Sequence, residues 1–292
     1  MKNPSDVLEI LAKSANAESQ SGLGKVTLLS FLAGAYISFG CLLAIVATSG
    51  MADAGVPLGV EKFIFGAMFP LGLILVVFAG AELFTGNVMV MTIGVLKKTS
   101  RLKDLLINWT LSWIFNFAGA LFIAFVIAYL GGVMPTDSSA PAYVITSKAV
   151  SVAEAKISMP FSVALIKGIG CNWLVCLAIW VSTTVKEPIA KMFGIWFPVM
   201  AFVTLGFEHC IANMLFILLA ALLGSTSINL GNFLIGNLLP VTIGNIIGGG
   251  CFCCLYLFCL LRKRLNIIRL TVVYSFCKKL FELIITLTIS YM

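Results

Sequence analysis

Long apolar stretches near residues 26–50, 63–96, 105–133, 160–184, 190–223 and 233–261 dominate the chain, separated by short polar links. Each exceeds the roughly 20 residues that a helix needs to cross a hydrocarbon core of about 30 Å. The pattern predicts an all-α integral membrane protein with six transmembrane helices. Two stretches, 63–96 and 190–223, are too long for one straight crossing. Ahead of the first, "SDVLEILAKSANAES" places apolar residues at helical intervals. Residues 1–25 are therefore expected as a retained amphipathic segment, since the apolar run of a cleaved signal peptide starts sooner. The membrane domain spans 26–262, and a basic, partly apolar tail occupies 263–292.

The pattern also repeats. "AGAELFTGN" and "LGFEHCIAN" both read Gly-x-Glu-x-x-x-x-Asn, aligning Gly80, Glu82 and Asn87 with Gly206, Glu208 and Asn213 at an offset of 126. Asn108, Asn116 and Gly119 align with Asn237, Asn245 and Gly248 at 129. The first and fourth stretches match more weakly, through Gly34 with Gly168 and "LAI" at 43–45 with "LAI" at 177–179. Three helices per copy is an odd number, so repeat one (26–133) and repeat two (160–261) must run through the membrane in opposite senses. Sites in such folds lie near the midplane, on discontinuous helices at matching positions. Helices 2 and 5, over-long and carrying the Gly-x-Glu motif in their middles, are predicted to be broken there. Irregular backbone at that depth needs partners other than water. Glu82 and Glu208 are expected to supply them by accepting hydrogen bonds from N–H groups freed at the breaks, beside two half-helix N-termini.

The only histidine, His209, stands in the second break where repeat one carries Leu83. The repeat does not explain it, and an ionisable side chain inside the membrane is a functional candidate. The structural alternative is a neutral histidine satisfied by backbone and merely packed.

Composition agrees with the pattern: of 292 residues 60% are hydrophobic and 11% charged, and the mean hydropathy is +1.08. Fifteen of the 19 Lys and Arg fall before span one, between spans two and three, between four and five, or after six. The positive-inside rule then places both termini in the cytoplasm of a plasma-membrane protein. The formal charge of +7 follows from that topology and from anionic lipid, and asks for no nucleic-acid partner. Nine cysteines, most of them inside spans, lack the paired spacing of a zinc site and read as small packing residues; no metal or cofactor is implied.

Taken together, "AGAELFTGN", "KGIGCNWLVCLAIW", "GFEHCIAN" and "NLLPVTIGNIIGGG" resemble the formate/nitrite transporter family over roughly 1–262. The wording of the first two is most similar to the nitrite branch. The resemblance implies an aquaporin-like protomer, a homopentamer with one pore in each protomer, and passage of small monovalent anions of weak acids: nitrite, formate or hydrosulfide. It puts the family's pore histidine at His209, its threonine at Thr85, its span-four asparagine at Asn172 and its outer lysine at Lys156. Apolar constrictions fall at Leu73 and Phe202 on one side of the histidine and at Leu83 and Val175 on the other. The family's gating elements correspond to about 1–20 and 86–98. The chain departs from the family's usual short polar ending, and 263–292 is read as a basic amphipathic segment on the membrane surface, with a seventh crossing or a tail without a role as alternatives.

An apolar constriction opposes a bare anion, so a neutral acid is expected to pass more easily. Lys156, with Lys167, would gather anions in an outer vestibule. His209 would donate a hydrogen bond or a proton between the constrictions, with Thr85 and Asn172 as polar contacts. The sequence leaves open whether the proton comes from the histidine or from water. A neutral-solute pore of the aquaglyceroporin kind is weighed against this reading, but no arginine precedes Arg101 to build such a filter. An intramembrane hydrolase is the third reading, and it lacks a Gly-x-Ser-x-Gly motif.

Overall fold

A computed structural model describes residues 1–261, with side chains through Gly250. Expectations for the tail and for Cys277 lie outside the described residues, and those for Cys251, Cys253, Cys254 and Cys259 outside the described side chains. Cys41, Cys171, Cys176 and Cys210 are buried and free of disulfides.

Among the described residues every element is helical. Helix α1 (Pro4–Gln20) opens with a capping box in which the Asn3 side chain accepts from Asp6 N–H while the Asp6 carboxylate accepts from Asn3 N–H. Its apolar face, Val7, Leu8, Leu11, Ala12 and Ala15, is buried against Met89, Met91, Leu105 and Trp180. Lys97 pairs with Glu9, Thr99 Oγ1 donates to Ala12 O, and Lys2 Nζ donates to Thr183 O. The N-terminal segment is thus a docked helix at one end of the molecule.

The crossings follow from α2 (Leu23–Thr48) onward. Helices α3 (Leu58–Met68) and α4 (Leu71–Ala79), divided at Pro70, run to the first break and α5 (Phe84–Lys97) continues beyond it. Helix α6 (Leu102–Phe122) ends in a π-helical segment, Ile123–Leu130. Helix α7 (Tyr143–Ile157) lies in what the sequence pattern presented as a link. Helix α8 (Phe161–Thr184) leads to α9 (Pro188–Thr204), the second break and α10 (Cys210–Leu222). A second π-helical segment, Asn232–Leu238, opens α11 (Leu239–Leu261). Among the described residues, five helices or continuous helix pairs are long and apolar enough to cross a membrane singly. Helices α9 and α10 are apolar and each too short alone, which is consistent with a sixth crossing shared between them.

The two breaks are built alike. Each opens on a glycine in the left-handed region, Gly80 at φ 69° and Gly206 at φ 71°, which a side chain would strain. Ala81 N–H then bonds Val76 O, as Phe207 N–H bonds Phe202 O. The N–H groups that open α5 and α10 are not taken up by glutamate. Phe84 N–H donates to Asn116 Oδ1 and Cys210 N–H to Asn245 Oδ1, both at 2.9 Å. Asn116 Nδ2 donates to Ser30 O and Glu82 O, and Asn245 Nδ2 to Gly168 O and Glu208 O. An amide presents donors and an acceptor together, and the break leaves both kinds of backbone group unpaired; a carboxylate offers acceptors only. The glutamates accept from side chains instead: Asn87 Nδ2 to Glu82 Oε2 and Asn213 Nδ2 to Glu208 Oε2, each 2.7 Å. Those amides reach on to Asn108 and Asn237.

These bonds also correct the register of the weakest repeat match. Glu82 N–H meets Leu29 O where Glu208 N–H meets Lys167 O, and Asn116 meets Ser30 O where Asn245 meets Gly168 O. Helices α2 and α8 therefore correspond at an offset of 138, about one helical turn from the 134 given by Gly34 with Gly168 and by "LAI". Small residues recur along both helices, so glycine alone cannot fix the turn. In the corrected register Asn172 stands opposite Gly34, whose Cα lies so close to Asn116 O that a Cβ would meet it at 2.0 Å.

Candidate functional site

Helices α5 and α10 begin near the middle of the molecule, and their first turns carry Thr85 and His209. His209 is the N-cap of α10: its Nδ1 accepts from Ala212 N–H at 3.2 Å. With Nδ1 an acceptor, the ring proton sits on Nε2, which donates to Thr85 Oγ1 at 2.9 Å. A second ring proton would have to displace the Ala212 N–H and undo the cap, so the local hydrogen bonds hold the imidazole neutral. Thr85, accepting from the ring, keeps its own O–H free to donate. Both residues are buried, and the Phe202 ring stacks on the imidazole with centroids 6.1 Å apart.

Three spaces connect through shared lining residues. A chamber of about 390 Å³ beneath α7 reaches His209, Phe69 and Phe202. A middle section lined by those three with Leu73, Leu83 and Val175 has no room for water. A second chamber of about 210 Å³ adjoins Leu73 and Leu83 and is lined on its far side by Ser14 and Glu18 of α1. Leu73 therefore stands with Leu83 toward the α1 end rather than with Phe202, because α4 has already passed the histidine by that turn. Phe69, which the sequence did not single out, is the partner of Phe202, edge to face at 5.9 Å.

Lys156 is not a free cation. Its Nζ donates to Glu208 Oε1 at 3.0 Å and Oε2 at 3.1 Å, lies over the Phe216 ring, and has a side chain 14% exposed. Its carbonyl accepts from Asn237 Nδ2 within the second π-helical segment. Lys148, also on α7, pairs with Glu61 on α3. Glu154 accepts from Ser225 and Ser227. Helix α7 is thus strapped across the larger chamber by charge and hydroxyl contacts. Among the charged residues lining that chamber, Lys62 and Lys167 enter no ion pair.

Asn172 is fully buried, donates to Asn245 O at 2.6 Å, and its Oδ1 has no partner. It stands on α8 facing α11 and, like Thr85, lies outside the linings of the three spaces; its hydrogen bond goes to Asn245 O.

Paired half-helices, a chamber at each end and a dry apolar section with one histidine in its lining define a membrane pore protein for small solutes. The formate/nitrite transporter family model matches residues 5–259. A probable formate transporter of Methanothermobacter thermautotrophicus is 45% identical over 90% of this chain and 98% of its own length. The formate channel BtFdhC of Bacillus thuringiensis is 38% identical over 85% of this chain and 92% of its own. Among solved structures, a pentameric formate channel with formate bound superposes with a TM-score of 0.72 at 32% identity, covering 82% of this chain and 97% of that one. An FNT family ion channel gives 0.75 at 33%, covering 84% and 94%. The chain belongs to the formate/nitrite transporter family, a transport protein and not an enzyme.

Proposed function

We propose that the chain is a channel for small monovalent weak-acid anions, formate first and nitrite second, which cross the dry section as the neutral acid. The observation that carries this reading is His209, the one polar side chain in the lining of an apolar section closed to water, bonded to the buried Thr85. Moving a bare charge into such a section costs tens of kcal/mol in the idealised continuum limit. A neutral acid avoids that cost and needs only hydrogen-bonding partners, which His209 and Thr85 supply by exchanging the bond between them for bonds to the acid. Because the N-cap bond keeps the ring neutral, the travelling proton is assigned to water of the larger chamber. His209 acts as a hydrogen-bonding group.

Formate is preferred because relatives named for it match nearly end to end. Hydrosulfide has the same chemistry and is the third candidate. The positive-inside rule puts α1 and both termini in the cytoplasm of the plasma membrane and α7 outside. The chain is read as a homopentamer, as its structural neighbour is. With Lys156 engaged by Glu208, Lys62 and Lys167 take the anion-gathering role: four lysines against two glutamates line the outer chamber.

Initial-rate uptake into proteoliposomes, in parallel for formate, nitrite, hydrosulfide and glycerol, tests the proposal. Uptake of formate and nitrite without glycerol is expected. Glycerol flux without anion flux would return the aquaglyceroporin reading and reduce His209 to a packed residue.

A further inference from the structure

The two break glutamates occupy matching positions in opposite electrostatic settings. Glu208, toward α7, is neutralised by Lys156. Glu82, toward α1, has no lysine or arginine among the residues lining its chamber; it shares that chamber with Glu18. One carboxylate oxygen of Glu18, Oε2, is sealed from solvent and accepts no hydrogen bond. An ionised carboxylate left so is costly, whereas a protonated one needs fewer partners. Glu82 has its Oε2 bonded by Asn87. The other charge acting on it is that of Lys25, exposed at the start of α2. Burial, then the nearby charge of Glu82, pushes the Glu18 carboxyl well above the usual carboxylate range. Two carboxyl groups in one confined chamber keep a single negative charge between them more readily than two. Leu73 and Leu83, which close the dry section, line the same chamber, so a solute leaving the section arrives beside the pair.

We propose that Glu18 and Glu82 form a proton-exchange station at the α1 end of the pore, which takes the proton from an arriving weak acid and returns it to a departing anion. The inference rests on the weak-acid reading above. For an inbound molecule the acid O–H bond breaks, an O–H bond forms on ionised Glu82, and the anion leaves. The pair, now carrying two protons, releases one from Glu18, whose O–H bond breaks as chamber water takes the proton; the proton on Glu82 then passes to Glu18, and Glu82 is ionised again. Outward passage reverses each step. Helix α1 then has a task beyond closing the molecule, since it delivers Glu18. No sequence pattern points to this, because Glu18 and Glu82 are distant along the chain and only the docking of α1 brings them into one chamber.

The test uses the full-length protein in proteoliposomes and the isosteric variant Glu18→Gln. Formate efflux is measured against internal pH, with external pH and membrane potential held. Near neutral internal pH, Glu18→Gln is expected to lower efflux about tenfold, less than the roughly hundredfold typical of a positioned acid–base group, because chamber water substitutes in part. As internal pH falls and free acid becomes abundant, the two proteins should converge. Glu18→Asp, which restores a carboxyl, should recover the wild-type pH profile in part. Infrared difference spectra give a readout independent of transport: a protonated-carboxyl band at neutral pH that disappears in Glu18→Gln. An unchanged efflux profile in Glu18→Gln, or a carboxyl band that survives it, overturns the proposal. Absence of formate flux in the wild type, with the band present, would instead strike the weak-acid reading.

Discussion

His209→Phe should lower formate uptake by about 100-fold or more, while His209→Asn should stay within about tenfold of the wild type. Phenylalanine removes both the N-cap bond to Ala212 N–H and the bond to Thr85 Oγ1, and fills the section with an apolar ring. Each unmade buried hydrogen bond costs about 1–3 kcal/mol, and 1.4 kcal/mol is tenfold in rate. Asparagine caps helices well and brings one amide donor, so it restores the fold of α10 and part of the polar contact. The pair of variants separates two roles for the imidazole. If His209 had to give up a proton in every passage, asparagine would be as inactive as phenylalanine. Wild-type uptake in His209→Phe would remove the residue from the pathway altogether. Uptake rates in proteoliposomes, normalised to reconstituted protein, provide the readout.

Lys156→Met should destabilise the protein by about 3 kcal/mol, the low end for removing one partner of a buried ion pair. Glu208 is 3% exposed and would keep only the Asn213 amide as partner. The double variant Lys156→Met with Glu208→Gln should recover most of the loss, because no buried charge is left unmatched. Thermal unfolding in detergent checks the ordering of wild type, double and single variants. A single variant as stable as the wild type would return Lys156 to the free, anion-gathering cation of the outer vestibule that the sequence reading expected.

That reversal for Lys156 marks where sequence reasoning ran out. The spans were legible because a bilayer demands about 20 apolar residues whatever they pack against. The breaks were legible because Gly-x-Glu recurs at Gly80–Glu82 and Gly206–Glu208 in the middle of apolar stretches too long for one crossing. The partners at the breaks were not: Asn116 and Asn245 appeared only as markers of the repeat, and their capping of Phe84 and Cys210 depends on helix packing across 32 and 35 residues. Helix α7 went unread because "YVITSKAVSVAEAKI" is neither apolar enough for a span nor polar enough to stand out from a loop. Pairing Leu73 with Phe202 failed for a related reason, since which side of a histidine a helix turn reaches depends on where α4 starts at Pro70. Asn172 came from family resemblance, and in the fold it supports Asn245 rather than reaching the chambers.

The central claim is that the permeant crosses the section between Phe69–Phe202 and Leu73–Leu83 without net charge. Formate uptake into proteoliposomes, measured at fixed pH on both sides while the potential is stepped with a potassium gradient and valinomycin, tests it most directly. Neutral passage predicts an initial rate independent of potential and rising as external pH falls. A bare anion feels about 2.3 kcal/mol per 100 mV across the membrane. Uptake that follows the potential and ignores the proton concentration would contradict the account.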